Sequence, residues 1–180
     1  MIQATWRLRA VAEHDLPQVQ RIYAHHVLTG IASFELEPPD LAEIARRCQA
    51  TLERRLPYLV AVAEEREGER VLGYAYAGPY RSRPAYAWTL EDSVYLAEGE
   101  AGRGIGTALL GELIGRATAL GYRQMVAVIG DSGNAGSIAL HRRHGFHEAG
   151  LLRSVGWKHG RWIDSVLMQR ALGPGDAGSP

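Results

Sequence analysis

Apolar residues recur along this chain in two alternating rhythms, one of period two and one of period 3.6. Residues 6–10 alternate as a strand does. Leu16, Val19, Ile22, Tyr23, His26 and Val27 then fall at the spacing of one helix face, opened by Asp15 and Pro17 and stopped by Gly30. A short extended piece over 31–34 closes at Glu37-Pro38-Pro39. Asp40 is placed to cap a second helix reaching about Leu56, with Leu41, Ile44, Ala45, Cys48 and Leu52 as its stripe and Pro57 as its breaker. Residues 59–64 and 71–77 read as a hairpin around a polar turn at Gly68, and a turn-rich loop over 78–84 leads into a long β segment, 86–96. Beyond it come a helix over 107–120 with Gly121 as its stop, a buried-looking strand over 123–129, a short helix over 137–144 ended by Gly145, and strands over 146–152 and 162–169. Gly111 and Gly115 inside the third helix read as small residues for close packing on the sheet. This order predicts one α/β domain over 1–172, with a mixed sheet and helices on both faces. Residues 173–180, Gly-Pro-Gly-Asp-Ala-Gly-Ser-Pro, are expected to form a flexible tail.

Composition narrows the classes. The 180 residues carry zero formal net charge, which speaks against a nucleic-acid partner, since a phosphate backbone demands a basic field. Of the 20 Lys and Arg residues only Lys158 is lysine, and the arginines are scattered. Cys48 is the single cysteine, so no intrachain disulfide or cysteine-rich metal site can form, and its place in the helix stripe reads as core. His25 and His26 point about 100° apart on a helix and do not make a metal pair. The first six residues lack the basic and apolar runs of a signal peptide, and no apolar stretch approaches the ~20 residues of a membrane span. A soluble, cytoplasmic protein without a membrane partner or a metal is expected.

The chemistry concentrates after the long β segment. Val94-Tyr95-Leu96 is a short β run; Gly102-Arg103-Gly104-Ile105-Gly106 follows, and a helix opens at Thr107. Strand, glycine-rich turn and helix N-terminus in that order make an anion cradle, because glycines let successive N–H groups converge and the helix end adds partial positive charge. A P-loop would need Lys-Ser/Thr after the last glycine, where Thr107-Ala108 stands. A dinucleotide fingerprint would need a third glycine where Leu109 stands.

Ala101 to Gly106 instead resembles the (Gln/Arg)-x-x-Gly-x-Gly/Ala loop of the GNAT superfamily of N-acetyltransferases, with Ala101 departing from the family's first position. Residues 74–81, 85–96, 126–130, 134–138, 140–146 and 156–164 are similar to the phosphinothricin N-acetyltransferase branch, and the likeness runs from about Leu8 to Arg170. The resemblance implies a GNAT-type fold with a mixed, mostly antiparallel central sheet. It implies acetyl transfer from acetyl-coenzyme A to the amino group of phosphinothricin, methionine sulfoximine or methionine sulfone, in a homodimer. It further implies that Gly102, Arg103, Gly104, Ile105, Gly106 and Thr107 wrap the coenzyme's pyrophosphate. Val94, Tyr95 and Leu96 would bind the pantetheine arm through a splayed strand, with the Val94 N–H polarising the thioester carbonyl. Asn134 would hydrogen-bond the coenzyme and Arg143 would meet one of its phosphates.

Direct transfer needs a base to deprotonate the amine and a proton for the departing thiolate. Glu91, in an otherwise apolar and aromatic segment, is the candidate base; Asp92, opposite on an extended strand, is the weaker one. His141 stands where many superfamily members carry a thiolate-protonating tyrosine, and its role as acid or base stays open. His14, His144, His147 and His159 read as structural. Arg81 and Arg83 suit a carboxylate or phosphinate, and Phe34 and Tyr86 could wall the acceptor pocket beside Glu91. Acetylation of protein N-termini or polyamines, and a coenzyme A-binding sensor without turnover, are the rival readings.

Overall fold

A computed structural model describes residues 6–66 and 68–179. The signal-peptide reading of residues 1–5, Glu67 in the hairpin turn and Pro180 lie outside the described residues. Seven strands form one sheet in the order β1-β2-β3-β4-β5-β7-β6: β1 (Trp6–Ala10), β2 (Tyr58–Glu65), β3 (Gly68–Pro79), β4 (Thr89–Leu96), β5 (Gln124–Gly130), β6 (His147–Lys158) and β7 (Arg161–Ala171). Every neighbouring pair is antiparallel except β4 with β5, which is parallel. Helices α1 (Leu16–Thr29) and α2 (Leu41–Glu53) cover one face, where Val19, Tyr23, Val27, Val60 and Tyr74 are buried together. The other face packs on α3 (Ile105–Ala119) and α4 (Ala135–Arg143), through Leu109, Leu110, Leu113 and Ile138. The mixed, mostly antiparallel sheet with helices on both faces is as expected.

Local differences have local causes. Asp40 does cap α2, its Oδ1 accepting the Glu43 N–H at 2.8 Å, and Cys48 is buried. Helix α2 ends before Leu56, because the chain turns at Arg54 and Arg55, the latter at φ 58°. Residues 31–33 form bends and Phe34 has no regular structure, so the expected extended piece is not a strand. The long β segment starts only at Thr89, since Pro84 opens a 3-10 turn over Pro84–Tyr86. Gly115 faces open space and Gly111 approaches the His144 ring, so neither packs on the sheet. After Leu172 the chain runs in turns, and the Arg123 guanidinium donates to the carbonyls of Gly175 and Ala177, both at 2.6 Å.

Asp15 does not cap α1. A 3-10 turn, Glu13–Asp15, runs straight into the helix and turns its carboxylate back toward β1. There Oδ2 accepts the Ala12 N–H at 2.7 Å and Arg9 Nη1 at 2.6 Å, while Oδ1 accepts Arg9 Nη2 at 2.7 Å. Burial pushes this carboxyl's pKa up, but the bonds from Arg9 and Ala12 outweigh it and hold it below the usual range. A depressed carboxyl stabilises the fold fully above its unfolded pKa of about 3.9 and loses that contribution as pH falls through the folded value. Asp15→Asn should therefore cost roughly 1.5–3 kcal/mol near pH 7, the scale of lost hydrogen bonds to a charged group, since Arg9 keeps Glu69 as a partner. Urea midpoints taken from pH 7 to pH 2 should show the gap from wild type closing only at the acid end.

Candidate active site

The parallel contact of β4 with β5 covers only Thr89–Asp92 against Gln124–Ala127. Both strands continue beyond it, β4 to Leu96 and β5 to Gly130, so the sheet opens into a V. On its other side β4 stays in unbroken register with β3. Opposite residues of an antiparallel pair alternate between exchanging both hydrogen bonds and exchanging none. Tyr80 N–H bonds the Thr89 carbonyl at 3.2 Å, and Ala97 N–H bonds that of Leu72 at 2.9 Å. Thr89, Glu91, Ser93, Tyr95 and Ala97 therefore direct their main-chain groups to β3. Val94 and Leu96 direct theirs into the V, where β5 no longer meets them. His26 Nε2 donates to the Leu96 carbonyl at 2.8 Å. The Val94 N–H and carbonyl stand at the open edge, as the expected splay requires.

Side chains alternate along the same strand. Leu90, Val94 and Leu96 pack with the α3 side and Tyr95 with the α1 side. Glu91 and Asp92, adjacent in sequence, thus leave β4 on opposite faces. Both line a cleft of about 270 Å³ in the V, together with Phe34, Val94, Tyr95, Asn134 and His141. Burial raises the Glu91 pKa above the usual carboxylate range and the Asp92 charge raises it further, while Arg81 pulls against them.

On the other face, Asp92 Oδ2 accepts from His141 Nε2 at 3.0 Å, and His141 Nδ1 donates to the Ser137 carbonyl, one helical turn back, at 2.8 Å. Each ring nitrogen faces an acceptor. A neutral imidazole has only one N–H, so this geometry favours the imidazolium. Burial works to lower the His141 pKa, but the bond and charge of Asp92 more than reverse it, leaving it above the ordinary value. Asp92 Oδ1 is buried among the described residues without a hydrogen-bond partner. An orphan acceptor of that kind costs about 1–3 kcal/mol, which the neighbouring cation offsets.

The glycine-rich loop follows at the tip of β4. Gly102 and Gly104 sit at φ 78° and 79°, left-handed values that a side chain resists, and Gly104 directly precedes α3. Gly106 is buried, and a Cβ there would meet Leu140 at 3.5 Å and Leu96 at 3.7 Å. Ile105 is buried in the core while Thr107 is exposed. Arg103 turns inward to the buried carboxylate of Glu100, which Arg70 also holds at 3.0 Å. The cradle that remains is main-chain N–H at the start of α3, which fits a pyrophosphate. Asn134 caps α4 by accepting the Ser137 N–H at 3.2 Å, and Arg143 is exposed in that helix's last turn.

The acceptor-side candidates divide. Phe34 lies over the cleft floor, its ring against Gly130 and Gly156. The Arg81 guanidinium stands 5.1 Å from the Tyr80 ring centre and 6.0 Å from that of Tyr86, near enough to Glu91 to act on its charge. Tyr86 packs edge-on against Tyr80, outside the cleft lining, and Arg83 is exposed at the head of the Pro84–Tyr86 turn. Sequence reasoning missed the pairing of Asp92 with His141 and the role of Glu100 beneath the loop. Strand parity already puts Asp92 on the face of Val94 and Leu96, but only the fold brings α4 there.

Over residues 8–167 the chain matches the family model described as acetyltransferase (GNAT) domain. The phosphinothricin N-acetyltransferase of Alcaligenes faecalis is 54% identical over 96% of this chain and 86% of that protein. The L-methionine sulfoximine/L-methionine sulfone acetyltransferase of Pseudomonas aeruginosa is 42% identical over 93% of this chain and 95% of its own. A GNAT superfamily phosphinothricin acetyltransferase from Sinorhizobium meliloti, solved in complex with AcCoA, superposes with a TM-score of 0.92 at 48% identity, over 98% of this chain and 93% of that one.

The two-acceptor setting of His141 is directly measurable. Nitrogen-15 spectra should show both ring nitrogens protonated at neutral pH, with a titration midpoint above that of free histidine. In Asp92→Asn the midpoint should fall below the wild-type value, since burial then acts with less opposition.

Proposed function

The chain belongs to the GNAT acetyltransferase family, and from that premise we propose that it acetylates the amino group of small amino-acid-like acceptors by direct transfer in a ternary complex. It is an N-acetyltransferase that uses acetyl-coenzyme A as co-substrate. The acceptors of the proposal are phosphinothricin, methionine sulfoximine and methionine sulfone, the compounds named for its relatives. One observation carries the mechanistic part: a desolvated carboxylate on one face of β4 and a main-chain N–H at the open edge of the same strand line one cleft.

Each group has a task that its surroundings suit. An amine is protonated at neutral pH, and Glu91, with its raised pKa, takes the proton directly or through a water. The Val94 N–H lies at the opened edge of β4 and donates to the carbonyl oxygen as negative charge builds there. The N–H groups from Gly102 to Thr107 hold the pyrophosphate, and Asn134 and Arg143 lie on the helix beside the coenzyme path. His141, with an acceptor at each ring nitrogen and a pKa raised by Asp92, serves the leaving thiolate as a proton source, and Asp92 keeps the ring oriented. Arg81, beside Glu91, attracts the acceptor's carboxylate or phosphinate. Arg83 and Tyr86, further out, guide the approach.

Assembly and location complete the reading. Strand β6 is the sheet's edge, and the exposed Trp157 and Trp162 pair across the β6–β7 hairpin with ring centres 5.3 Å apart. With Leu152 and Val155 also exposed, this face suits a second copy of the chain in a homodimer. No described helix is long and apolar enough to cross a membrane.

Thiol release from acetyl-coenzyme A, measured with methionine sulfone, methionine sulfoximine, phosphinothricin, polyamines and peptides, tests the acceptor class. Turnover is expected with the first three, and a preference for polyamines or peptides would refute it. Glu91→Ala should lower kcat at least about tenfold, on the scale of general-base contributions. The wild-type kcat profile should rise with pH as Glu91 loses its proton and fall as His141 loses its own. His141→Gln should abolish the alkaline limb alone.

A further inference from the structure

The chain's single lysine is buried, 4% exposed, at the end of β6. Its Nζ donates to the Ser33 carbonyl at 2.7 Å. In a sequence that otherwise uses arginine for every cation, a compact ammonium sits where a planar guanidinium fork would demand more room. Ser33 is fixed from other directions too. Its hydroxyl is bonded to the Tyr23 hydroxyl at 2.9 Å and accepts the Glu35 N–H at 3.2 Å. His159, next to the lysine, donates to the Gly30 carbonyl at 3.2 Å. Residues 30–35 have no regular secondary structure, so these side-chain bonds replace a ladder in fixing the segment as a strap across the sheet.

The strap delivers Phe34 to the cleft. A Cβ at Gly156 would lie 2.6 Å from the Phe34 ring, and one at Gly130 would lie 3.1 Å from it and 2.2 Å from the Ile31 carbonyl oxygen. The ring therefore rests in a seat that only two glycines, one from β5 and one from β6, leave open. Lys158 pins the residue immediately before that ring.

We propose that Lys158 is a positioning residue that sets the size of the acceptor pocket by pinning Ser33 and so holding Phe34 on Gly130 and Gly156. The proposal rests on the acetyl-transfer reading of the cleft and adds to it a determinant of acceptor selectivity. Lys158 touches no reacting atom and acts through the strap alone. The coenzyme lies along β4 and α3, so its binding does not pass through this device.

Lys158→Met keeps an unbranched apolar stem and removes the donor. Acceptor KM should rise about tenfold, on the scale of a misplaced positioning group, while the KM for acetyl-coenzyme A stays within about twofold. Amide exchange over residues 31–35 should accelerate, with β2 and β3 unchanged. Gly156→Ala should displace the ring and raise KM most for the longest acceptor, and adding Phe34→Ala should cancel that length dependence. Unchanged exchange and acceptor KM in Lys158→Met, or a length dependence that persists in the double variant, would overturn the proposal. If the wild-type enzyme acetylates none of the amino-acid-like acceptors, the proposed acceptor class fails on its own, and the exchange measurement still decides whether Lys158 holds the strap.

Discussion

A parallel strand pair that stops pairing partway leaves main-chain donors and acceptors without partners inside a sheet, and buried groups of that kind are costly. Here the parting follows Asp92 and Ala127, and most of what the protein can do is arranged around it. The strands are held apart by what flanks them. On one side β4 remains zipped to β3, and on the other β5 remains zipped to β7. Helices α3 and α4 start from loops at the open end, where Gly106 lies close to Leu140 of α4 and Leu96 of β4. An extended ligand that offers amide groups can complete the broken ladder, which makes the opening selective for a strand-like arm.

Two adjacent carboxylates meet opposite fates because a strand sends neighbours to opposite faces. Asp92 enters the α4 side and meets the His141 ring, whose Nε2 lies 3.0 Å from Oδ2. Glu91 enters the α1 side, loses water without a direct cation, and is pushed toward its neutral form by burial and by its neighbour's charge. A catalytic base must hold its proton weakly enough to release it and strongly enough to take it, and this environment moves Glu91 in that direction. Asp92 contributes twice, by raising the pKa of His141 and by raising that of Glu91, so both groups are tuned from one position.

Much of this was legible in the sequence where the physics is local. Periodicity located the four α-helices and the seven strands, though not all their ends or the two 3-10 turns, because amphipathic faces must match the layers they pack on. The glycine-rich turn was readable, since left-handed backbone at Gly102 and Gly104 leaves a compositional trace. Asp15 misled: a carboxylate before a helix suits a cap, but the Glu13–Asp15 turn brings it back to Arg9 on β1, a charged partner. Tyr86 misled because Pro84 starts a turn that aims the ring at Tyr80 rather than at the cleft. Neither outcome follows from residue type and spacing, since each depends on a turn that folds the side chain onto a partner six residues earlier. His141 depends on the tertiary path: its setting required α4 to cross the open end of β4, 49 residues earlier in the chain.

The strap shows why glycine positions carry information that a hydrophobic pattern does not. Gly130 and Gly156 sit in strands, where glycine weakens pairing and leaves no side chain to pack. Neither has the positive φ that would explain it. Both lie under the Phe34 ring, and Gly130 also lies against the Ile31 carbonyl. The strand gives up local stability so that an irregular segment can approach the sheet closely, and that segment is held by Lys158 and Ser33 instead of by main-chain pairing. A cleft wall built this way combines a rigid floor with an adjustable cover. Its dimensions can change through the strap's few anchors without disturbing β4, where Glu91 and Asp92 are fixed.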